Sequence, residues 1–329
     1  MLPDGRRLGA HLPLGDGMVR AADRASAIGA SAIQVFSDNP AAWRRRPNLP
    51  RELPAFRERL RELDVAPLVI HAPYLVNLAG PEGEFRRRSI ELLAHELRVA
   101  QAYDAQYLNV HAGSHRGDGV DDGIRRFADG AAEALAMAAD DAPDVVLVIE
   151  NGSGTGFGLG TTIEQLAAID VALGNLGVDA GRTAFCLDTA HLWGAGYPID
   201  IPARVDTTLA TVDAVLGLGR VRLVHLNDSR SELGSRMDRH EHVGAGRIGG
   251  RGLGRLLTHP ALRHVTYILE TPGMDQGYDA VNLRRARDLA DGRPLDALPP
   301  EAFLLPTGRS RSAPAEDPID EDAARVLAS

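Results

Sequence analysis

The chain has no lysine. All 36 residues in its Lys+Arg total are arginine, which excludes side-chain Schiff-base chemistry, such as that of lysine aldolases and pyridoxal phosphate enzymes, and also the phosphate-binding lysine of a P-loop. Cysteine is almost absent: Cys186 stands alone and cannot form an internal disulfide. The opening MLPDGRRLGAHLPLGDG has no apolar leader region, so a reducing cytoplasm is the expected compartment. No apolar run approaches the ~18 residues of a membrane span. Positive charge is also short, with 36 arginines against 45 acids and a net charge of -9. At face value that argues against a polyanionic partner.

What is present is a regular alternation. Apolar, β-branched runs occur at 7–12, 31–36, 67–71, 106–111, 145–150, 183–188, 221–225 and 265–270, separated by amphipathic stretches such as RRRSIELLAHELRVAQAY. Runs apolar throughout are strands buried on both faces, and the segments between them are helices. Eight parallel strands in one βα series, within 329 residues, predict a closed (β/α)₈ TIM barrel, of the α/β class, over residues 1–290. From 291 the sequence turns rich in Pro, Ser and Asp and loses its apolar period. Residues 291–329 therefore read as an extended or disordered tail rather than a domain, in which LPPEAFLLP has the composition to dock on the barrel.

The last six strand runs end on His71, His111, Glu150, Asp188, His225 and Glu270. His, Asp and Glu make up roughly one residue in six, so six such endings by chance come to about 2 in 100,000. Strand ends carry polar residues for ordinary reasons, and any one of the six alone reads as a cap or loop anchor. Together they converge on the C-terminal rim, where barrel active sites sit. Two clusters follow strands closely: Asp188-Thr-Ala-His191, and Asp238-Arg-His240, whose alternation directs both side chains to one side of an extended segment. Nitrogen and carboxylate donors without cysteine suit Zn²⁺ or Mn²⁺, and nine donors exceed what one or two tetrahedral ions need. Three ions are implied, with Glu150 placed to bridge two of them.

Three divalent ions reverse the charge argument. The tail holds eight acids and four arginines, leaving 37 acids against 32 arginines in the body. Three M²⁺ bring the body to about +1, concentrated at the rim. Arginine runs at 44–46, 86–88 and 125–126 extend that field unless they are solvated helix faces. A cationic multi-metal rim suits phosphate ester hydrolysis, with Glu150 as the central catalytic carboxylate. The Gly-rich IENGSGTGFGLG does not match GxGxxG and reads as a tight turn beside the metals.

The stretches HAPYLVNLAG, HAGSH, IENGSG, CLDTAHLWGAGY, LVHLNDSR, DRHEHVGAGRIG and LETPG, in this order, resemble the endonuclease IV family of abasic-site endonucleases. The resemblance implies a (β/α)₈ barrel with three zinc ions that cleaves the phosphodiester 5′ to an abasic site in damaged double-stranded DNA, works in base excision repair, and trims blocked 3′ ends. It assigns His71, His111 and bridging Glu150 to one zinc. Glu150, Asp188, His225 and Glu270 hold a second, and His191, Asp238 and His240 the third. It also places Tyr74 and Trp43 at the DNA; Arg44 beside them is a further expected DNA contact, and a monomer is the expected state. Ala41 and Ala42 stand where such proteins carry a polar or Arg wedge, so duplex distortion is expected to rely on other groups. Two alternatives are a sugar isomerase or epimerase on a related barrel, which needs fewer ligands and in the xylose isomerase type a lysine, and a DNA-binding relative that keeps its metals for folding.

Overall fold

A computed structural model describes residues 1–305. Its barrel strands are β1 (Leu8–His11), β2 (Ala32–Val35), β3 (Leu68–His71), β4 (Tyr107–His111), β5 (Val146–Glu150), β6 (Thr183–Asp188), β7 (Val221–His225) and β10 (Thr266–Leu269). They form a closed, all-parallel ring in the order β1-β10-β7-β6-β5-β4-β3-β2. Each expected run contains one of these strands. Between β7 and β10 the chain adds a short antiparallel ladder of β8 (Asp228–Ser229) and β9 (His240–Glu241).

Nine helices among the described residues surround the ring: α1 (Met18–Ala27), α2 (Leu53–Glu62), α3 (Glu84–Ala102), α4 (Val120–Met137), α5 (Ile163–Asn175), α6 (Thr189–Ala195), α7 (Pro202–Val215), α8 (Gly249–Thr258) and α9 (Tyr278–Ala290). Their apolar stripes pack on the outer faces of the strands in one continuous core. None of the described helices is long and apolar enough to cross a membrane.

The lumen is packed separately from that outer core. Val69, Val148, Ala184, Cys186 and Leu223 form its apolar floor. Side chains alternate faces along a strand, so the residues two further on than Val69, Val148, Cys186 and Leu223 also point inward. These are His71, Glu150, Asp188 and His225. The lumen is narrow at β1, where a Cβ on Gly9 would lie 2.1 Å from the Ala32 carbonyl oxygen.

After α9 the chain runs extended and then forms a 3₁₀ turn over Pro300–Leu304. Ala302 is fully buried, its carbonyl oxygen 3.0 Å from His242 Nε2. Leu305 Cδ1 would sit 2.5 Å from a Cβ built on Gly273. The LPPEAFLL part of the tail thus docks on the barrel; residues 306–329 lie outside the described residues.

Candidate metal centre

The strands deliver their last residues to one rim. His71, His111, Glu150, Asp188 and His225 end β3 to β7, and Glu270 follows β10 by one residue. His191 joins them because Asp188 caps α6: its Oδ1 accepts from the His191 backbone N–H at 2.8 Å, starting the helix with the imidazole turned back over the rim. Asp238 and His240 arrive from the loop that returns as β9.

That loop is fastened from below. Trp193 Nε1 donates to the Ser231 carbonyl at 2.9 Å, Arg236 N to the Gly194 carbonyl at 2.9 Å, and Thr155 Oγ1 to the Arg236 carbonyl at 2.7 Å. Thr155 belongs to the Gly-rich turn after β5, where Gly154, Gly156 and Gly160 take positive φ. The turn is a clamp for the neighbouring loop.

Three groups place one donor atom from each member within 4.8 Å of one another: His71, His111 and Glu150; Glu150, Asp188 and His225; Asp188, His191 and His240. Asp238 and Glu270 stand just outside these groups. Asp238 Oδ1 is 2.9 Å from His240 Nε2, its Oδ2 is 3.2 Å from His191 Nε2, and Glu270 Oε2 is 3.5 Å from His225 Nδ1. Glu150 sits at the centre. Its Oε2 is 3.7 Å from His71 Nε2 and 3.8 Å from His111 Nδ1, while its Oε1 is 3.2 Å from His191 Nδ1 and 3.4 Å from His225 Nδ1.

Each of four imidazoles spends one ring nitrogen on a fixed partner. His71 Nδ1 bonds the Ala72 carbonyl at 2.7 Å, His191 Nδ1 the Asn151 carbonyl at 2.9 Å, His240 Nδ1 the Glu270 carbonyl at 2.8 Å, and His225 Nε2 the Gln34 Oε1 at 3.0 Å. This is how metal-ligating histidines are held. The opposite atoms His71 Nε2 and His225 Nδ1, with Glu150 Oε1, are buried and make no hydrogen bond, while His240 Nε2 has Asp238 Oδ1 2.9 Å away. An unsatisfied buried polar atom costs about 1–3 kcal/mol, and divalent cations would satisfy these three. The donor set therefore fits divalent metal ions.

Without a cation, protons balance the charge. Burial pushes the Glu150 carboxyl up, but His111 and His225, reinforced by His191, outweigh it and hold it well below the usual carboxylate range. Burial likewise opposes charge on Asp238, and His191 and His240 hold it low. Burial pulls His191 down while Asp188 and Asp238 lift it well above the usual imidazole value; His240, against the same penalty, is lifted by Asp238 to about 9.

Sequence reasoning missed the residues that aim the donors. Asn109 Nδ2 donates to Glu150 Oε2 at 2.6 Å, Asn227 Nδ2 to Asp188 Oδ2 at 2.7 Å, and Gln34 Nε2 to Glu270 Oε1 at 2.8 Å. His11 Nδ1 lies 3.2 Å from Glu270 Oε1. Their signal was parity: Asn109 stands two residues before His111, Asn227 two after His225, and Gln34 interrupts an apolar strand.

Outside the cluster, Tyr74 is half-exposed, its ring 5.1 Å from Phe36 and 6.0 Å from His71. A groove beside the donors is lined by Tyr74, His111, Ser114, Arg116, Arg236 and Arg239. Arg44 is exposed; Trp43 is partly covered, edge-on to Phe85 at 5.0 Å with Arg88 4.6 Å over its ring. The arginine runs do not act as one field. Arg45, Arg86 and Arg126 turn inward, the last two donating to the carbonyls of Leu78 and Ala79, and Arg46 and Arg125 pair with Asp38 and Asp122. An arginine run has no fixed face, and the buried carbonyls and carboxylates around it select which members turn in.

Comparison with known proteins adds the lineage. The xylose isomerase-like TIM barrel family matches residues 22–292. A probable endonuclease 4 of Natranaerobius thermophilus is 41% identical over 282 residues, 85% of this chain and 96% of its own. A probable endonuclease 4 of Methanoculleus marisnigri is 38% identical over 286 residues, 86% and 98% of the two chains. The crystal structure of endonuclease IV from Thermus thermophilus superposes with a TM-score of 0.75 at 38% identity, covering 87% of this chain and 99% of that one. A D-tagatose 3-epimerase-like protein also superposes, with a TM-score of 0.63 at 17% identity over 87% and 97% of the chains, a likeness of fold alone.

Proposed function

The chain belongs to the endonuclease IV family, and from that premise we propose that it is a metal-dependent endonuclease that hydrolyses the phosphodiester 5′ to an abasic site in duplex DNA and trims blocked 3′ ends. The observation that carries the reading is the convergence of nine donors on one rim, seven of them in three groups that could hold an ion and Asp238 and Glu270 beside them, with His71 Nε2, His225 Nδ1 and Glu150 Oε1 buried without a hydrogen bond.

Three zinc ions, with manganese as a substitute, would be held by His71, His111 and Glu150; by Glu150, Asp188, His225 and Glu270; and by His191, Asp238 and His240. When bound, such ions polarise the phosphoryl oxygens, supply an activated water and offset the charge of the leaving alkoxide. Glu150 is suited to bridge because its two oxygens face different histidine pairs, His71 with His111 and His191 with His225. Asn109, Asn227 and Gln34 donate to Glu150, Asp188 and Glu270 and so orient these carboxylates. Arg116, Arg236 and Arg239 supply cationic contacts along the groove, while Tyr74, Trp43 and Arg44 occupy the loops that would meet the duplex.

Incubating the purified chain with a duplex that carries one abasic site, with and without a chelator, tests the reading. Chelator-sensitive incision on the 5′ side supports it. Ketose epimerisation without incision would place the chain with its sugar-processing fold relatives, and DNA binding without either activity would make it a non-catalytic relative.

A further inference from the structure

The loop that follows β2 is fastened to α3 through a carboxylate that the metal centre does not use. Glu96 lies in α3, within the amphipathic stretch RRRSIELLAHELRVAQAY, and its carboxylate is fully buried. Its Oε2 accepts a 2.6 Å hydrogen bond from Ser37 Oγ, and its Oε1 lies 3.6 Å from Arg45 Nε. Arg45 Nη1 donates to the Asn39 carbonyl at 3.0 Å, but Arg45 Nε and Nη2 and Glu96 Oε1 are buried without a hydrogen bond. Such a pair is an expensive way to stabilise a fold, because apolar residues of similar volume serve as well or better.

Its placement suggests a different use. Ser37 and Arg45 bracket the segment that carries Ala41, Ala42, Trp43 and Arg44. Trp43 is braced on the same helix by Phe85 and Arg88. Ser37 follows Phe36, whose ring lies 5.1 Å from both His71 and Tyr74. The tie therefore runs from α3 through the loop to the edge of the metal cluster. Ala41 and Ala42 have no long side chain to insert into a duplex, so this loop must contribute through backbone and neighbours already held in place. Ordering a free loop on binding costs conformational entropy, a cost that a pre-set loop does not incur at binding.

We propose that Glu96 is a positioning residue for damaged-DNA binding: through Ser37 and Arg45 it holds residues 37–46 so that the exposed Arg44 is presented to the duplex. The inference rests on the DNA reading above. Glu96 touches neither substrate nor metal; it acts through the loop.

The test uses the full chain loaded with zinc and a duplex holding one abasic-site analogue. Half-saturating concentration, saturating single-turnover rate, zinc content and Tm are measured for wild type, Glu96→Gln, Ser37→Ala and the double variant Arg45→Met/Glu96→Leu. The half-saturating concentration should rise about tenfold in Glu96→Gln and in the double variant, with the saturating rate and zinc content within twofold of wild type. The double variant should keep or raise Tm, an outcome that separates positioning from scaffolding. A wild-type half-saturating concentration alongside a lowered Tm would overturn the proposal, as would a loss confined to the saturating rate. Should the double variant fail to fold, Glu96→Gln and Ser37→Ala decide on the same two readouts. A wild-type chain that neither binds nor cuts the abasic duplex while ignoring undamaged DNA removes the functional reading, and this inference with it.

Discussion

Asn109 Nδ2 donates to Glu150 Oε2 across 2.6 Å, from the strand next to that of the carboxylate and one inward position below His111. Both groups are completely buried. The bond fixes one oxygen of Glu150 and thereby aims the other at His191 and His225.

Replacing Asn109 with Ala should therefore weaken metal binding rather than folding. Outer-shell partners of this kind are worth about 10–100-fold in metal affinity. Competition titration with a zinc chelator should show a loss in that range while the circular dichroism spectrum is unchanged; unchanged affinity would mean that the carboxylate orients itself.

Glu150→Gln removes the charge that faces four imidazoles. We expect at least a hundredfold fall in incision rate with the barrel still folded. A variant that keeps near-normal turnover would rule out the bridging role.

Proton and metal should compete at the rim. Burial disfavours the charged His240, but Asp238 lifts it to about 9. With the folded value above the unfolded ~6.5, its contribution to metal-free stability is complete below pH 6.5 and is lost as pH rises through 9. Chelator-treated protein should lose Tm over that window. Metal-loaded protein, whose His240 is already deprotonated, should not. Zinc binding at pH 7 should release protons, detectable as a dependence of titration heat on buffer ionisation enthalpy.

The tail should be divided at Leu305. Cutting at 296 would remove Ala302 from its bond with His242 and Leu305 from its seat over Gly273, so that cut should lower Tm. Cutting after Leu305 removes five acids and three arginines. It should leave Tm unchanged and raise duplex affinity two- to threefold at low salt, about the effect of a small screened charge.

Gly9→Ala should prevent normal folding. The new Cβ would fall 2.1 Å from the Ala32 carbonyl oxygen, a contact with backbone in the closed ring. Soluble, cooperatively melting Gly9→Ala protein would show that the ring can widen there.

Much of this was readable in advance because two periods coincide. The apolar runs located all eight strands, and strand alternation then forced their last residues onto a single rim. Asp238 and His240 were readable as a pair from their spacing alone, though the clamp formed by Trp193 and Thr155 that brings them to His191 was not. Charge runs resisted reading for a different reason. In 44–46 two arginines are exposed, of which Arg46 pairs with Asp38, while Arg45 faces Glu96, and nothing in an Arg-Arg-Arg triplet distinguishes them. Glu96 was hidden in the same way, since a carboxylate on an amphipathic helix looks solvated until the loop that covers it is placed. Asn109 and Gln34 were visible only as polar interruptions of apolar runs, and Asn227 only by its spacing two residues after His225.

Ring closure between β1 and β10 has a consequence for how the centre is made. His11 and Glu270 lie 3.2 Å apart although 259 residues separate them, and no nascent polypeptide shorter than 270 residues carries the full donor set. The nine-donor rim is therefore completed only after the last barrel strand, β10, has been synthesised and can close the ring against β1.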